Sequence, residues 1–361
     1  MERLGIAGLP NSGKTSLFNA LTGASSPVAP HPFTTIETTV GVAPLPDGRL
    51  EALAAMSASR KVVRAGVELV DIAGLVAGSS TGEGLGNRFL AGIREVDALC
   101  LVLRAFESPE VPGDSDPVSA LETLELELVL ADLSSVEAQL DKRRKAARVA
   151  KGDRALAGLL DAMEAARASL AEGVPLYRSS LSAEDIEALG ELFLLTAKPV
   201  VAVVNIGEDQ LGEEKSLTSR VAESLTGHGE VLGVCVQLEA EAAELAPQAR
   251  QEMLQGLGLG DGALPRVAHA AYAAIGRSTF FTTGEKESRA WSFRSGAGAP
   301  ECAGVIHSDL QRGFIRAEVI SCEELLEIGS WAKAKAGGRI RLEGKDYKVA
   351  DGDVLEIRFN V

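Results

Sequence analysis

Lys14 and Thr15 close the stretch Gly8-Leu-Pro-Asn-Ser-Gly-Lys-Thr15, which matches G-x-x-x-x-G-K-[ST] at every fixed position. The glycines of such a loop let successive backbone N–H groups turn inward onto phosphate oxygens. A lysine at this spacing reaches the β and γ phosphates of a nucleotide, and the threonine hydroxyl is offered to Mg²⁺. Asn11, Ser12, Gly13 and Ser16 are read as parts of the same cradle. A second metal contact is required. Val67-Glu-Leu-Val-Asp71 reads as a buried strand ending in a carboxylate, so Asp71 fits the metal-holding acid, directly or through water. Gly74 fits a backbone that must come close to the γ-phosphate. Between these, Pro32-Phe-Thr-Thr-Ile-Glu37 supplies Thr34 and Thr35, either of which could close over Mg²⁺.

These side chains need a scaffold. The apolar run Leu4–Ala7 predicts a strand before the loop, and Ser16–Leu21 a helix after it, with its positive end aimed at the phosphates. Further apolar runs at 98–103, 199–204 and 231–236 predict buried strands. Runs so continuous suit a parallel sheet covered on both faces. The glycine-rich segment Gly74–Asn87 has little helix or strand propensity and is expected to be ordered by ligand.

The base is addressed by Asn205-Ile-Gly-Glu208 at the end of one strand. Guanine-specific switch proteins carry Asn-Lys-x-Asp there, the carboxylate accepting from guanine N1–H and its amino group. Here the lysine is replaced by Ile206, and the carboxylate sits one methylene further out, on Glu208. A disturbed guanine pairing leaves polar groups unpaired, at roughly 1–3 kcal/mol each. ATP is therefore expected over GTP. Cys235 and Val236, closing the 231–236 run, are placed in the same base site.

The chain resembles the YchF-type subfamily of Obg-like P-loop NTPases. GLPNSGKTSLFNAL, PFTTIE, VGV, DIAGLVAGSSTGEGLGNRFL and NIGED carry that resemblance, and FFTTGEKESRAWSFRSG, AGVIHSDLQRGFIRAEVI and RLEGKDYKVADGDVLEIRFNV resemble the TGS domain that ends those proteins. The resemblance implies an ATPase that tolerates GTP, depends on Mg²⁺, associates with the ribosome, and regulates translation or the stress response. It favours Thr35 over Thr34 as the switch threonine, giving Lys14, Thr35 and Gly74 as the catalytic set and Thr15, Thr35 and Asp71 as the metal set. Asn11 matches a P-loop asparagine that in some relatives helps to hold an activating K⁺ ion. Two departures bear on rate. Leu75 stands where Ras-type proteins place a water-orienting glutamine, and no histidine occurs in Phe106–Pro117, where relatives carry one. His31, ahead of Thr35, is a substitute beside the plainer reading of a loop histidine with no role. Slow hydrolysis is expected, and a nucleotide-stabilised binding protein with negligible turnover is the alternative. A true GTPase is the third reading.

About 95 residues separate the strands at 98–103 and 199–204, far more than a crossover needs. Leucine-rich helical spacing from Leu121, a turn near Gly152-Asp153 and a return through Leu170 predict an antiparallel helical hairpin. Its first arm carries Lys142-Arg-Arg-Lys145, Arg148, Lys151 and Arg154. That basic run suits RNA phosphates or an acidic protein; a solvated helix end is the other reading. Residues 277–361 alternate apolar and polar positions and balance their charges, as a small β-rich binding module would. The fold expected is α/β: a parallel-sheet P-loop domain (1–117 and 198–276), an inserted hairpin (118–197) and an α+β TGS domain of ubiquitin-like, β-grasp type (277–361).

The 361 residues carry a net charge of −15, which argues against global adhesion to nucleic acid and against DNA sequence recognition. No run of about 18 apolar residues predicts a membrane span. The N-terminus does not read as a signal peptide. Four scattered cysteines and four histidines suggest no zinc cluster, and reduced cytoplasmic thiols are expected.

Overall fold

Among the residues that the computed structural model describes (3–23, 29–30, 39–72, 85–108, 113–149 and 154–360), two sheets organise the chain. The first part runs β1 (Arg3–Ala7), α1 (Lys14–Thr22), β2 (Ala29–Pro30), β3 (Thr39–Pro44), α2 (Gly48–Met56), β4 (Val62–Val63), β5 (Gly66–Asp71), α3 (Leu85–Arg94), β6 (Ala98–Arg104), α4 (Pro117–Val149), α5 (Arg154–Ala171) and α6 (Ala183–Ala188). It continues with β7 (Val200–Asn205), α7 (Glu214–Ser224), β8 (Glu230–Val234), α8 (Val236–Ala243), α9 (Pro247–Gly256) and α10 (Leu264–Ala274). The last part is β9 (Arg277–Thr282), β10 (Ser288–Arg294), α11 (Ala299–Ile306), α12 (Ser308–Arg312), β11 (Phe314–Ser321), α13 (Cys322–Ile328), α14 (Trp331–Ala336), β12 (Arg341–Glu343) and β13 (Asp353–Phe359).

The chain forms two compact units, Met1–Val42 with Glu68–Ile275, and Ala43–Val67 with Gly276–Val361. In the first, a seven-stranded sheet has the order β2-β3-β5-β1-β6-β7-β8. β5, β1, β6, β7 and β8 run parallel, and β2 pairs antiparallel with β3. Every residue of β6 and β7 is buried, as their unbroken apolar sequence requires when helices cover both faces. α10 packs on β6 and β7, and α4 packs on β6. The strand expected through Val236 stops at Val234; Cys235 is the cap residue of α8. Leu85–Asn87, expected as loop, begin α3. Thr34, Thr35, Gly74, Leu75 and His31 lie outside the described residues.

In the insertion, α4 and α5 pack against each other. Val129, Val136 and Leu140 of α4 interlock with Met163, Ala166 and Leu170 of α5, and Leu176, Leu189 and Leu194 close the cluster. Fully burying such a side chain contributes about 1.5–3 kcal/mol. At its base Asp132, 1% exposed, accepts from the N–H groups of Leu195 and Thr196 at 2.9 and 2.7 Å and from the Thr196 hydroxyl at 2.7 Å. The basic run is partly neutralised by its own neighbours. Arg143 pairs with Glu191 at 3.3 Å, and Arg144 with Glu164 and Asp141.

The second unit holds a six-stranded sheet of order β12-β11-β13-β9-β10-β4, cored by Phe280, Phe293, Phe314, Val319 and Leu355. Its composition differs from the division expected at residue 277. The segment Ala43–Val67, expected in the nucleotide domain, supplies α2 and the edge strand β4. α2 packs on α13 and β10, burying Leu50 and Leu53 completely. Arg49 binds Asp47 at 2.8 Å and Asp351 at 2.7 Å, and lies 5.1 Å over the Phe281 ring. β4 adds to β10 in parallel register. Such partners are remote in sequence, so no local pattern announces them.

Candidate functional site

The cradle between β1 and α1 is built on backbone geometry that side chains resist. Gly13 caps α1 at φ 94°, and a Cβ there would collide with the Asn205 amide. Asn11 also takes a left-handed φ of 62°. α1 starts at Lys14, two residues ahead of the expected start, with no side chain capping its first N–H groups. Those groups and the helix dipole are an anion site. Lys14 is 8% exposed and its Nζ donates to the Leu9 carbonyl at 2.8 Å. Burial pulls its ammonium below the usual range, and the Asp71 charge opposes that shift.

Register carries Asp71 to the loop. β5 runs alongside β1 so that Ile6 is opposite Asp71. The Thr15 hydroxyl donates to Asp71 Oδ2 at 2.8 Å. Burial raises the Asp71 carboxyl above its ordinary value, while the Thr15 bond and the Lys14 charge lower it. Two hard oxygen donors at the mouth of a phosphate cradle fit Mg²⁺, which takes few protein ligands and completes its shell with phosphate and water. No group of three or more His, Cys, Asp or Glu side chains placed to hold a metal occurs among the described residues.

Asn205 is a strut between loops. It is 5% exposed; its Nδ2 donates to the Ser12 carbonyl at 2.9 Å and its Oδ1 accepts from the Val236 N–H at 3.2 Å. Its register on β7, opposite Arg104 of β6 and Val234 of β8, puts it beneath both. Ser12 is 2% exposed and its hydroxyl finds no partner among the described residues.

Beside this strut opens a cavity of about 600 Å³. Gly13, Ser16, Asn205, Ile206, Glu208, Cys235 and Val236, all named from sequence for nucleotide binding, line it. Burial pushes the Cys235 thiol up, so it presents a neutral, apolar wall. Phe106 lines the cavity as well and was not singled out from the sequence; its signal was an aromatic two residues past a buried strand. The structure thus gathers two groups: Lys14, Thr15 and Asp71 at the Gly8–Thr15 loop, and residues 205–208 with 235–236 around the cavity.

No described helix is long and apolar enough to cross a membrane. A family model described as "50S ribosome-binding GTPase" matches residues 3–148. The YchF-GTPase C-terminal family model, described as a protein of unknown function, matches residues 278–360. The chain is 43% identical to the ribosome-binding ATPase YchF of Bacillus subtilis and 44% identical to that of Haemophilus influenzae, in both cases over 99% of this chain and 99% of the relative. Among solved structures it is similar to the YchF GTPase of Schizosaccharomyces pombe, 31% identical, with a TM-score of 0.87 covering 99% of this chain and 97% of that one. With the P-loop, the Thr15–Asp71 pair and the lysine-free base loop in place, these full-length likenesses make the chain a member of the YchF family of P-loop NTPases.

Proposed function

We propose that this protein binds Mg²⁺-ATP in preference to GTP, hydrolyses it slowly, and couples nucleotide state to ribosome binding as a regulator of translation or stress. The observation that carries the base preference is the cavity wall: Ile206 and Glu208 stand where a guanine site would put lysine and aspartate. The names of the bacterial relatives, ribosome-binding ATPases, support the activity and the partner. Thr15 and Asp71 would hold Mg²⁺, which neutralises β and γ phosphate charge when bound. Lys14 exchanges its bond to the Leu9 carbonyl for the phosphates, and the α1 N–H groups orient them. Thr35 and Gly74 are assigned to sensing the γ-phosphate, and Asn11 to a K⁺ ion. The hairpin and the C-terminal unit, the latter as a TGS module, are assigned to the ribosome, which places the protein in the cytoplasm. That compartment suits four free, buried cysteines.

Titration of nucleotide-stripped protein with Mg²⁺-ATP and Mg²⁺-GTP tests the base assignment; tighter GTP binding would overturn it and favour the GTPase reading that the fission-yeast relative's description carries. Phosphate release with and without ribosomes and K⁺ tests turnover. Leu75 and the histidine-free 106–117 loop favour a low rate. A rate equal to that of Lys14→Ala in every condition would leave a nucleotide-stabilised binding protein instead.

A further inference from the structure

The base cavity has walls from two strand ends, and one side chain ties them together. Gln210 closes the helical turn Glu208–Gln210. Its Oε1 accepts from the Gly207 N–H at 2.8 Å, and its Nε2 donates to the Ala105 carbonyl at 3.0 Å. The partners dictate the orientation of the amide, because an N–H can only donate and a carbonyl can only accept. A flipped or shortened side chain loses both bonds. Gln210 does not itself line the cavity.

What it holds are the two base-facing walls. Ala105 leads into Phe106, and Gly207 lies between Ile206 and Glu208; all three of these neighbours line the cavity. The walls nearly touch at their root, since a Cβ on Gly207 would come within 3.4 Å of Phe106 Cβ. Arg104 braces the Phe106 side. Its Nε donates to the Phe106 carbonyl at 3.0 Å and its guanidinium lies 4.7 Å over the ring. Below, the Ala105 N–H donates to the Asn205 carbonyl at 2.8 Å. The Phe106 wall is thus fixed from its own strand by Arg104 and from the opposite wall by Gln210.

We infer that Gln210 is a positioning residue for base recognition: by bridging Gly207 and Ala105 it sets the gap between the Phe106 wall and the Ile206–Glu208 wall, and with it the discrimination between purine bases. The inference deepens the nucleotide assignment above and rests on it. An adenine or guanine differs only at its edge, so an edge-reading carboxylate discriminates only when the ring plane is held at a fixed place. Slack between the walls relaxes discrimination before it abolishes binding. The two bonds of Gln210 go to Gly207 and Ala105, whereas the phosphate cradle is anchored by the Asn205 side chain and α1.

The test compares the full-length native protein with Gln210→Ala and Gln210→Glu. Each is titrated with Mg²⁺-ATP, Mg²⁺-GTP and inorganic tripolyphosphate, and melted without ligand. Gln210→Ala should lose about tenfold in ATP affinity and bring the ATP:GTP ratio toward one, with tripolyphosphate affinity unchanged. Gln210→Glu keeps the acceptor for Gly207 but sets a carboxylate against the Ala105 carbonyl; it too should flatten the ratio. It also serves if the alanine variant does not fold. An unchanged ratio in both variants would overturn the inference. So would a fall in tripolyphosphate affinity matching that of ATP, which would mark Gln210 as a prop of the whole site. Native protein that binds ATP no more tightly than tripolyphosphate would overturn the base-site reading itself, a distinct result.

Discussion

Asn205 was named from sequence among the groups that hold the nucleotide, and its neighbours assign its amide to the protein. Both polar ends are committed, to Ser12 and to Val236, so its effect on a base is indirect. Asn205→Ala should weaken ATP, GTP and tripolyphosphate together and cost about 1–3 kcal/mol of stability, because it orphans a carbonyl and an N–H in a buried place. Loss of one base alone, read by parallel titrations, would contradict the strut. Glu239 offers a test that involves no ligand. This carboxyl is 2% exposed, with Oε1 taking the Ala263 N–H. Burial pushes it above its ordinary 4.5, while the Ala263 N–H and Arg250 pull it down. The folded chain therefore holds this proton more tightly than the unfolded chain does. The stability Glu239 contributes is full below about pH 4.5 and falls as pH rises through the folded value. Glu239→Gln should melt higher than the native protein at pH 8, with the gap closing near pH 4; a gap of equal size at both would refute the burial argument.

At the scale of elements, the hairpin is joined to the sheet domain through Asp132. Three donors converge on its carboxylate, all from the Leu195–Thr196 turn that leads into β7. Asp132→Ala leaves those donors buried and unpaired and should cost about 3 kcal/mol or more, seen as a lower chemical midpoint. ATP affinity should be altered little, since the nucleotide loops lie at the other ends of β6 and β7. The tip of the hairpin makes a separate prediction. Arg143 and Arg144 are matched by acidic partners; among the described residues of the run, Lys142, Lys145 and Arg154 are exposed with no resolved ion pair, and the two lysines stand together on α4. Reversing both, as Lys142→Glu with Lys145→Glu, should reduce co-sedimentation with ribosomes and flatten its dependence on added salt, because fewer counterions are released, while ATP binding stays as it was. Retained co-sedimentation would return this run to the ordinary role of a solvated helix end.

At the scale of the whole molecule, the C-terminal unit is not the C-terminal sequence. Its sheet ends in β4 and its helical face includes α2, both contributed by the stretch between β3 and β5. A chain cut after Ile275 keeps α2 and β4 but loses α13, β10 and Asp351. Leu50 and Leu53 would then be uncovered and Arg49 would lose one of its two carboxylate partners. That truncated protein should bind an apolar dye and self-associate on gel filtration. The complementary piece, Gly276–Val361, should melt well below the unit within the full chain. Two fragments that both behave as stable monomers would show that the Ala43–Val67 segment adds nothing to the second unit.

Much of the site could be read along the chain because its chemistry is local. A phosphate cradle needs its glycines, lysine and threonine within one turn, so Gly8–Ser16 declares itself, and an unbroken apolar run such as Ala98–Leu103 can only be an interior strand. The Asn205–Glu208 stretch of the cavity wall was legible for the same reason: the four residues are contiguous, and the missing lysine is visible by spacing alone. What the sequence could not supply were relations across distance. The place of Phe106 beside Glu208 depends on β6 lying next to β7, and the Gln210 bridge depends on two loops separated by 105 residues. Asp71 meets Thr15 only through the parallel register of β1 and β5. The allotment of α2 to the second unit rests on a salt link spanning 302 residues. Local sequence determines which groups and backbone turns are available. Which of them share a cavity, and which are instead committed to holding its walls, is decided by burial and hydrogen-bond satisfaction summed over the folded chain.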